Sequence, residues 1–352
     1  MASGARGCAF ESHRGCLVAG YQMLVANKEG KAGMAVLVGI DEAGFGPILG
    51  PLVVSSTAFS IVGEKPGADL WQVLRRSVGR SGRHLAGRVL ITDSKKAYNR
   101  KKGVKYLERA TLACLQSLGK EPATVSELLS ALSPDCLERL KVYPWYRNIT
   151  EHKILADKTD IGIASSMLGQ DMFSNGLDLL GLKSRCLDVA HYNRLVSASR
   201  NKASVLFTAT SELIQGALED FGERELQIIV DRHGGRVRYR RLLQRSFSGM
   251  ELKIISENAK SSSYELKSKD KKMRVHFAVG ADKRYLPVSL ASMVSKYVRE
   301  LLVENINRYF AGHYGQLKPT AGYWKDGLRF IEDLKRYIPN VQYESNQLIR
   351  CR

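Results

Sequence analysis

Positions 35–40 are almost entirely apolar, and the chain then turns polar at Asp41-Glu42 before the run Gly44-Phe45-Gly46-Pro47. That pattern predicts a buried strand that ends on two carboxylates and is closed by a Gly-rich turn. A second apolar stretch, 51–59, follows Gly50 and predicts a strand returning antiparallel to the first. Helical spacing is visible at 69–78 and 100–118, separated by a short strand-like piece at 89–91. Residues 120–182 carry short helical stretches and the aromatic run Tyr143-Pro144-Trp145-Tyr146, and they predict an elaboration on the core. Beyond it the pattern predicts a strand at 185–189 and one long amphipathic helix over 194–221. A strand at 226–230, a helix at 237–247, strands at 252–255 and 273–279 and a helix at 287–309 complete the order. A hairpin followed by strands alternating with helices predicts a mixed sheet covered by helices.

Three of these strands end on an acid: Val38-Gly39-Ile40-Asp41-Glu42, Ile228-Ile229-Val230-Asp231 and Ala278-Val279-Gly280-Ala281-Asp282. Ligands collect at strand ends in open sheets, and converging carboxylates make a hard oxygen site suited to Mg²⁺ or Mn²⁺. A single acid after a strand is more often a turn residue or helix cap. Three of them on a chain with a net charge of +19 shift the balance, although simple charge balance would also scatter acids among cations. The charge itself, 54 Lys plus Arg against 35 Asp plus Glu, points to a polyanion partner without specifying any chemistry. Between residues 231 and 300 the excess is +10, over half of the total and beside two of the acids.

The six cysteines are scattered with no Cys-x-x-Cys pair, which argues against a zinc site and for free thiols in a reducing compartment, here read as cytoplasmic. No apolar run reaches the ~18 residues that a membrane span needs. Residues 1–33 are expected to be a disordered tail or an overlong start, with Met34 as a candidate initiator.

The segments Gly39-Ile40-Asp41-Glu42-Ala43-Gly44-Phe45-Gly46-Pro47 and Gly50-Pro51-Leu52-Val53-Val54 together resemble the opening motif of type 2 ribonuclease H. Asp93-Ser94-Lys95-Lys96 resembles that family's second signature. Ala281-Asp282, followed by the 287–299 stretch with Ser292, Lys296 and Arg299, is similar to its Ala-Ser helix. Residues 191–218 resemble its helix before the Asp strand, and Gly322-Tyr323 its late tyrosine. The motifs keep the family's order from about residue 36 to 336.

The resemblance implies an α/β fold, a ribonuclease H-like mixed sheet flanked by helices, with an insertion and a C-terminal helical region. It implies a catalytic domain over 34–312 and a helical extension over 313–352 that contributes to substrate binding. Asp41, Glu42, Asp231 and Asp282 match the four metal-binding acids. The implied reaction is hydrolysis of the RNA strand of RNA–DNA hybrids with two ions of Mg²⁺ or Mn²⁺ per site, leaving a 5′ phosphate and a 3′ hydroxyl. The implied partner is an RNA–DNA hybrid or a ribonucleotide-containing duplex, bound by a monomer with no membrane attachment.

Substrate contacts are expected from Gly44, Phe45, Gly46, Ser94, Lys95, Lys96, Ser292, Lys296, Arg299 and Tyr323. Asp93 is expected to order its turn rather than bind metal. Ser292, Lys296 and Arg299 fall on one helical face, either facing phosphates or simply solvated.

Two departures stand out. The family's Gly-Arg-Gly turn is Gly44-Phe45-Gly46 here, so the backbone can still approach a ribose but the cation is gone. Weaker preference for a single ribonucleotide embedded in DNA is the expected consequence. After Asp231, Arg232-His233-Gly234-Gly235-Arg236 replaces a shorter loop, with Arg232 and His233 as auxiliary candidates for proton transfer or phosphate contact. The Ser- and Lys-rich run 260–272 is expected to be a mobile basic loop. The rival readings are another nuclease or strand-transfer enzyme on the same fold, and a nucleic-acid-binding protein with altered catalysis.

Overall fold

The computed structural model describes residues 34–62, 68–83, 85–98 and 103–351; the expected tail at 1–33 lies outside them. The described residues form nine strands: β1 (Met34–Ala43), β2 (Leu52–Val62), β3 (Val78–Gly79), β4 (Val89–Leu90), β5 (Leu177–Leu187), β6 (Glu225–Asp231), β7 (Glu251–Glu257), β8 (Ser261–Lys267) and β9 (Lys272–Ala278). Seven form one sheet in the order β5-β2-β1-β6-β9-β8-β7, while β3 and β4 make a small parallel pair. β1, β6 and β9 are parallel neighbours; β2 with β5, β8 with β9 and β7 with β8 are antiparallel. The expected mixed sheet flanked by helices, with a C-terminal helical region at Trp324–Tyr337 and Ser345–Leu348, is therefore present.

Apolar side chains alternate across β1, so the sheet is buried on both faces. Val36, Val38 and Ile40 join one core cluster, with the helix Lys202–Phe221 above them, and Leu37 joins the other. The second face is covered by the long helix Leu286–His313. Close approach of that helix to β1 depends on Gly39, where an added Cβ would stand 2.2 Å from the backbone of Pro287 and Val288. Thr57 Oγ1 on β2 donates to Pro287 O (2.7 Å), tying the start of the same helix to the sheet.

Several elements differ from the sequence pattern. The predicted 194–221 helix is two helices, Val189–Ser199 and Lys202–Phe221, broken where Arg200 takes a left-handed conformation and Asn201 caps the second by accepting from Ala203 and Ser204. The 69–78 helix shrinks to Leu70–Val73. The run 260–272 is not a loop: most of it is β8, whose Tyr264 and Leu266 are fully buried between two strand partners. The 120–182 stretch is built into the main core, with Tyr143, Trp145 and Tyr146 buried and Trp145 packed on Tyr309 and Phe310 of the long helix. Strand β5 begins inside it at Leu177 rather than at 185.

Candidate active site

The register of the parallel strands places the acids. Ile40 pairs with Val230, so Asp41 and Asp231 follow side by side at the carboxyl ends of β1 and β6. Asp231 pairs with Ala278 at the end of β9, and Asp282 follows in the next turn. Gly280 makes that turn with a left-handed backbone (φ +60), which lets Ala281 N–H donate to Asp231 Oδ1 at 2.7 Å. Asp41 Oδ1 accepts from Glu42 N at 2.7 Å, and Asp41 O accepts from Ser295 Oγ at 3.0 Å. Ser295 Oγ also lies 2.8 Å from Ser55 Oγ, so the long helix holds the end of β1 through buried hydroxyls.

All four acids are shifted in the same direction. Burial, then the charges of Glu42 and Asp231, push Asp41 well above the usual carboxylate range. Burial and the neighbouring Asp231 push Glu42 up to about 7. Asp231 is pushed up to about 6 by burial, with Asp282 adding repulsion; burial and Asp93 raise Asp282. Among the described residues no three of His, Cys, Asp or Glu are drawn closely enough together to hold an ion as they stand. Their charges nevertheless act on one another, and each is left without a cationic partner within ion-pair distance among the described residues. Clustered carboxylates in this state are an oxygen-donor set whose repulsion a hard divalent cation offsets.

The other expected site residues divide. Asp93 caps the short helix Ser94–Ala97 by accepting from Lys95 N (2.9 Å), leaving Lys95 and Lys96 exposed, with Lys95 near enough to Asp282 to act on its charge. Gly44 has φ +94 and no room for a Cβ, which would meet Pro51 O at 2.5 Å and Arg299 Cδ at 2.8 Å; Gly46 is exposed and open. Phe45 is half-buried, with Lys202 Nζ 5.3 Å from its ring. Tyr323 is about half exposed, beside Trp324.

The row on the long helix corrects both sequence readings, because it is neither solvated nor a free phosphate grip. Ser292 Oγ donates to Ser94 Oγ (3.0 Å) and lies near enough to the Asp41 carboxyl to offset part of its upward shift. Lys296 is buried and pairs with Glu300 at 2.6 Å, its ammonium lying 4.7 Å from the ring of Tyr98 and 5.8 Å from that of Tyr323. Arg299 is 0% exposed; it shares Glu300 and donates to Leu49 O (3.3 Å) and Ala321 O (2.9 Å), which fastens the Gly-rich turn to the C-terminal region.

Arg232 and His233 are also elsewhere than expected. The Arg232 guanidinium donates to Asn258 O, Ala259 O and Ser262 Oγ, pinning the β7–β8 turn. His233 is 6% exposed, within 6.4 Å of the rings of Phe207, Tyr239 and Phe277, with Nε2 3.2 Å from Thr210 Oγ1. Burial pushes its pKa down to about 3, so it is a neutral packing residue, and the geometry gives no support to a proton-transfer role. Residues that sequence reasoning passed over include Tyr98, Glu300, Ser55 and Arg350. Only Glu300 carried a local signal, its i, i+4 spacing from Lys296.

No protein-family model matches the chain, and no curated protein matches it. Among solved structures it is similar to a chain of the PCNA:RNase HII complex from Archaeoglobus fulgidus, at 18% identity and a TM-score of 0.42, covering 90% of this chain and 94% of that one. It is similar to Bst-RNase HIII in complex with Mn²⁺ at 16% identity and a TM-score of 0.38, covering 93% and 68%. The ribonuclease H2 from Pyrococcus horikoshii OT3 matches at 15% identity and a TM-score of 0.36, covering 89% and 92%. The placement of the carboxylates stands independently of these likenesses.

Proposed function

We propose that this chain is a divalent-metal-dependent endoribonuclease of the type 2 ribonuclease H kind, which hydrolyses the RNA strand of RNA–DNA hybrids and leaves a 5′ phosphate and a 3′ hydroxyl. The observation that carries the reading is the delivery of four mutually repelling carboxylates, Asp41, Glu42, Asp231 and Asp282, by the ends of three adjacent parallel strands. The donor set is all oxygen, which fits Mg²⁺ or Mn²⁺; two such ions, when bound, supply water activation and offset the charge that develops on the phosphoryl group and the leaving oxygen. Asp41 and Asp231 are the central holders in this reading, with Glu42 and Asp282 on either side.

The protein's own part is positioning. Ser295 fixes the Asp41 backbone from the long helix, and Ala281 N–H fixes the Asp231 carboxylate. Gly46 leaves an open backbone surface that a ribose can approach, while Lys95, Lys96 and Tyr323 offer exposed contacts for phosphate and sugar. The region 313–352 joins the substrate surface through Tyr323 in this reading.

The test is cleavage of three labelled duplexes, an RNA–DNA hybrid, DNA with one embedded ribonucleotide and plain DNA, with Mg²⁺ or Mn²⁺ and with chelator. Metal-dependent cutting confined to ribose-containing strands is expected, with the hybrid preferred because Phe45 brings no cation. Equal or faster cutting at the single ribonucleotide removes that preference. No cutting at all, with tight salt-sensitive binding retained, makes the chain a binding protein.

A further inference from the structure

The turn that follows Glu42 is held from the far end of the chain. Leu49 and Ile349 form an isolated antiparallel bridge, and Arg350 N donates to Ile48 O at 2.8 Å. Asn193, buried on the helix Val189–Ser199, clamps this strap: its Nδ2 donates to Asn346 Oδ1 and Ile349 O (both 2.9 Å), and its Oδ1 accepts from Cys351 N (2.8 Å). The strap delivers one side chain inward. The Arg350 guanidinium lies 4.0 Å over the ring of Tyr192 and donates to Gly44 O and to Phe45 O.

A pocket of about 190 Å³ opens there, lined by residues 45–48, Tyr192, Lys202, Arg350 and Cys351. Its charge is one-sided. Lys202 and Arg350 are its two cations, no acid lines it, and among the described residues neither cation has a carboxylate within 4.0 Å. Arg350 is only 4% exposed and its Nε has no hydrogen-bond partner. Among the described residues the guanidinium is held by carbonyls and by Tyr192 with no carboxylate, which is costly for a buried cation, and burial lowers its pKa accordingly. An anion in the pocket offsets that cost. The volume is below the roughly 300–1,000 Å³ of pockets that enclose a whole small-molecule ligand, which favours a compact anionic group over a base or nucleoside.

We infer that this pocket is a phosphate-binding subsite for the nucleic-acid backbone, with Arg350 and Lys202 as its cations and the C-terminal strap as part of the substrate surface. The inference rests on the reading of the chain as acting on nucleic acid, and it names where one phosphate of that substrate sits. A cation absent from position 45 is thereby supplied from position 350, more than 300 residues along the chain and beside the same turn.

The experiment is equilibrium binding of a fluorescein-labelled RNA–DNA hybrid to the full chain in chelator, by anisotropy across a salt series, for wild type, Lys202→Gln, Arg350→Gln and Arg350→Lys. Each phosphate contact adds about 0.9 to the slope of log K against log salt. Lys202→Gln and Arg350→Gln are each expected to lower the slope by about that amount and to weaken binding about tenfold. Arg350→Lys, which keeps the charge, is expected to retain most of the slope. If wild type binds with a steep salt dependence and both neutral variants keep it, the subsite is overturned while the nuclease reading stands. Should Arg350→Gln fail to fold, the exposed Lys202→Gln decides by the same criterion. If wild type neither binds the duplex in chelator nor cuts it with Mg²⁺ or Mn²⁺, the nuclease reading falls and takes the subsite with it.

Discussion

Asp188 and Asp41 are buried to a similar degree, 3% and 7% exposed, yet their carboxyls are displaced in opposite directions. Burial raises both. At Asp188 that push is outweighed by the Tyr143 hydroxyl, the His191 N–H and the Arg139 guanidinium at 2.7 Å, and the net result lies below the usual carboxylate range. At Asp41 the nearest charges are other acids, so repulsion adds to burial. Asp188 also caps the helix Val189–Ser199. One region is a closed electrostatic account within the fold; the other is complete only with something positive added. Low exposure of an acid therefore does not tell a carboxylate paired within the fold from one left without a cation, whereas the sign of its partners does.

The comparison breaks first at the unpaired acids. Asp41→Asn or Asp231→Asn is expected to lower metal-dependent hydrolysis on the order of a thousandfold or more while leaving the fold intact, because each change removes a charge that the chain does not neutralise. Cleavage assays beside urea denaturation in chelator read both quantities. Hydrolysis at the wild-type rate in Asp41→Asn would sink the assignment of these carboxylates.

The mirror-image substitution is Asp188→Ala, which strands the Arg139 guanidinium and the Tyr143 hydroxyl and removes a helix cap. A loss of stability of about 3–5 kcal/mol is expected, with activity per folded molecule unchanged at low temperature. Unaltered stability would show that the pairing at Asp188 carries nothing, and the contrast with Asp41 would collapse.

A third effect, smaller, comes from pH. Glu42 rises from an ordinary value near 4.5 to about 7 in the folded chain, so the folded state holds its proton more tightly than the unfolded state does. Its contribution to stability is full below the unfolded pKa and is lost as pH rises through about 7. In chelator, Glu42→Gln is expected to gain on wild type between pH 4 and pH 8, by about 3 kcal/mol. Denaturation midpoints of the two proteins at several pH values give the difference directly. A difference that does not grow with pH would mean that Glu42 is not under strain.

The placement of those acids was legible because Asp41-Glu42 and Asp231 end apolar strands and Asp282 follows a third by one short turn, a pattern that local chemistry imposes. What surrounds them was less so, for physical reasons. β8 was hidden by its Ser and Lys content: Ser262 and Ser263 are buried because hydrogen bonds satisfy them, to Val237 O from one and with His276 Nδ1 from the other. The start of β5 was obscured by the irregularity opposite Ala58 and Phe59, which breaks the alternation. The helix break at Arg200 uses a left-handed residue that is not glycine, and no composition signal marks it. Polar residues on the long helix read as a solvent or phosphate face, but they are buried because Glu300, two carbonyls and the serines around Asp41 satisfy them. Arg350 gave no local signal at all, since Tyr192, Gly44 and Phe45, its partners, are all distant in the sequence.

Between the fully paired and fully unpaired regions lies the Lys296–Glu300–Arg299 group, two buried cations sharing one carboxylate. The balance is made up partly by aromatic faces: the Tyr323 ring sits 5.8 Å from Lys296 Nζ and 5.6 Å from the Arg299 guanidinium carbon, and Tyr98 lies on Lys296 as well. Tyr323 is also half exposed at the start of the helix Trp324–Tyr337, which leaves part of the side chain accessible to a sugar or base. Tyr323→Ala is expected to weaken binding of the hybrid in chelator by about fivefold, on the order of 1 kcal/mol, while Tyr323→Phe stays near wild type because the ring rather than the hydroxyl makes the contact. Anisotropy titrations of the three proteins decide it. If Tyr323→Ala lowers stability but leaves affinity untouched, the ring serves only the buried cations beneath it, and the substrate surface ends short of the C-terminal helix.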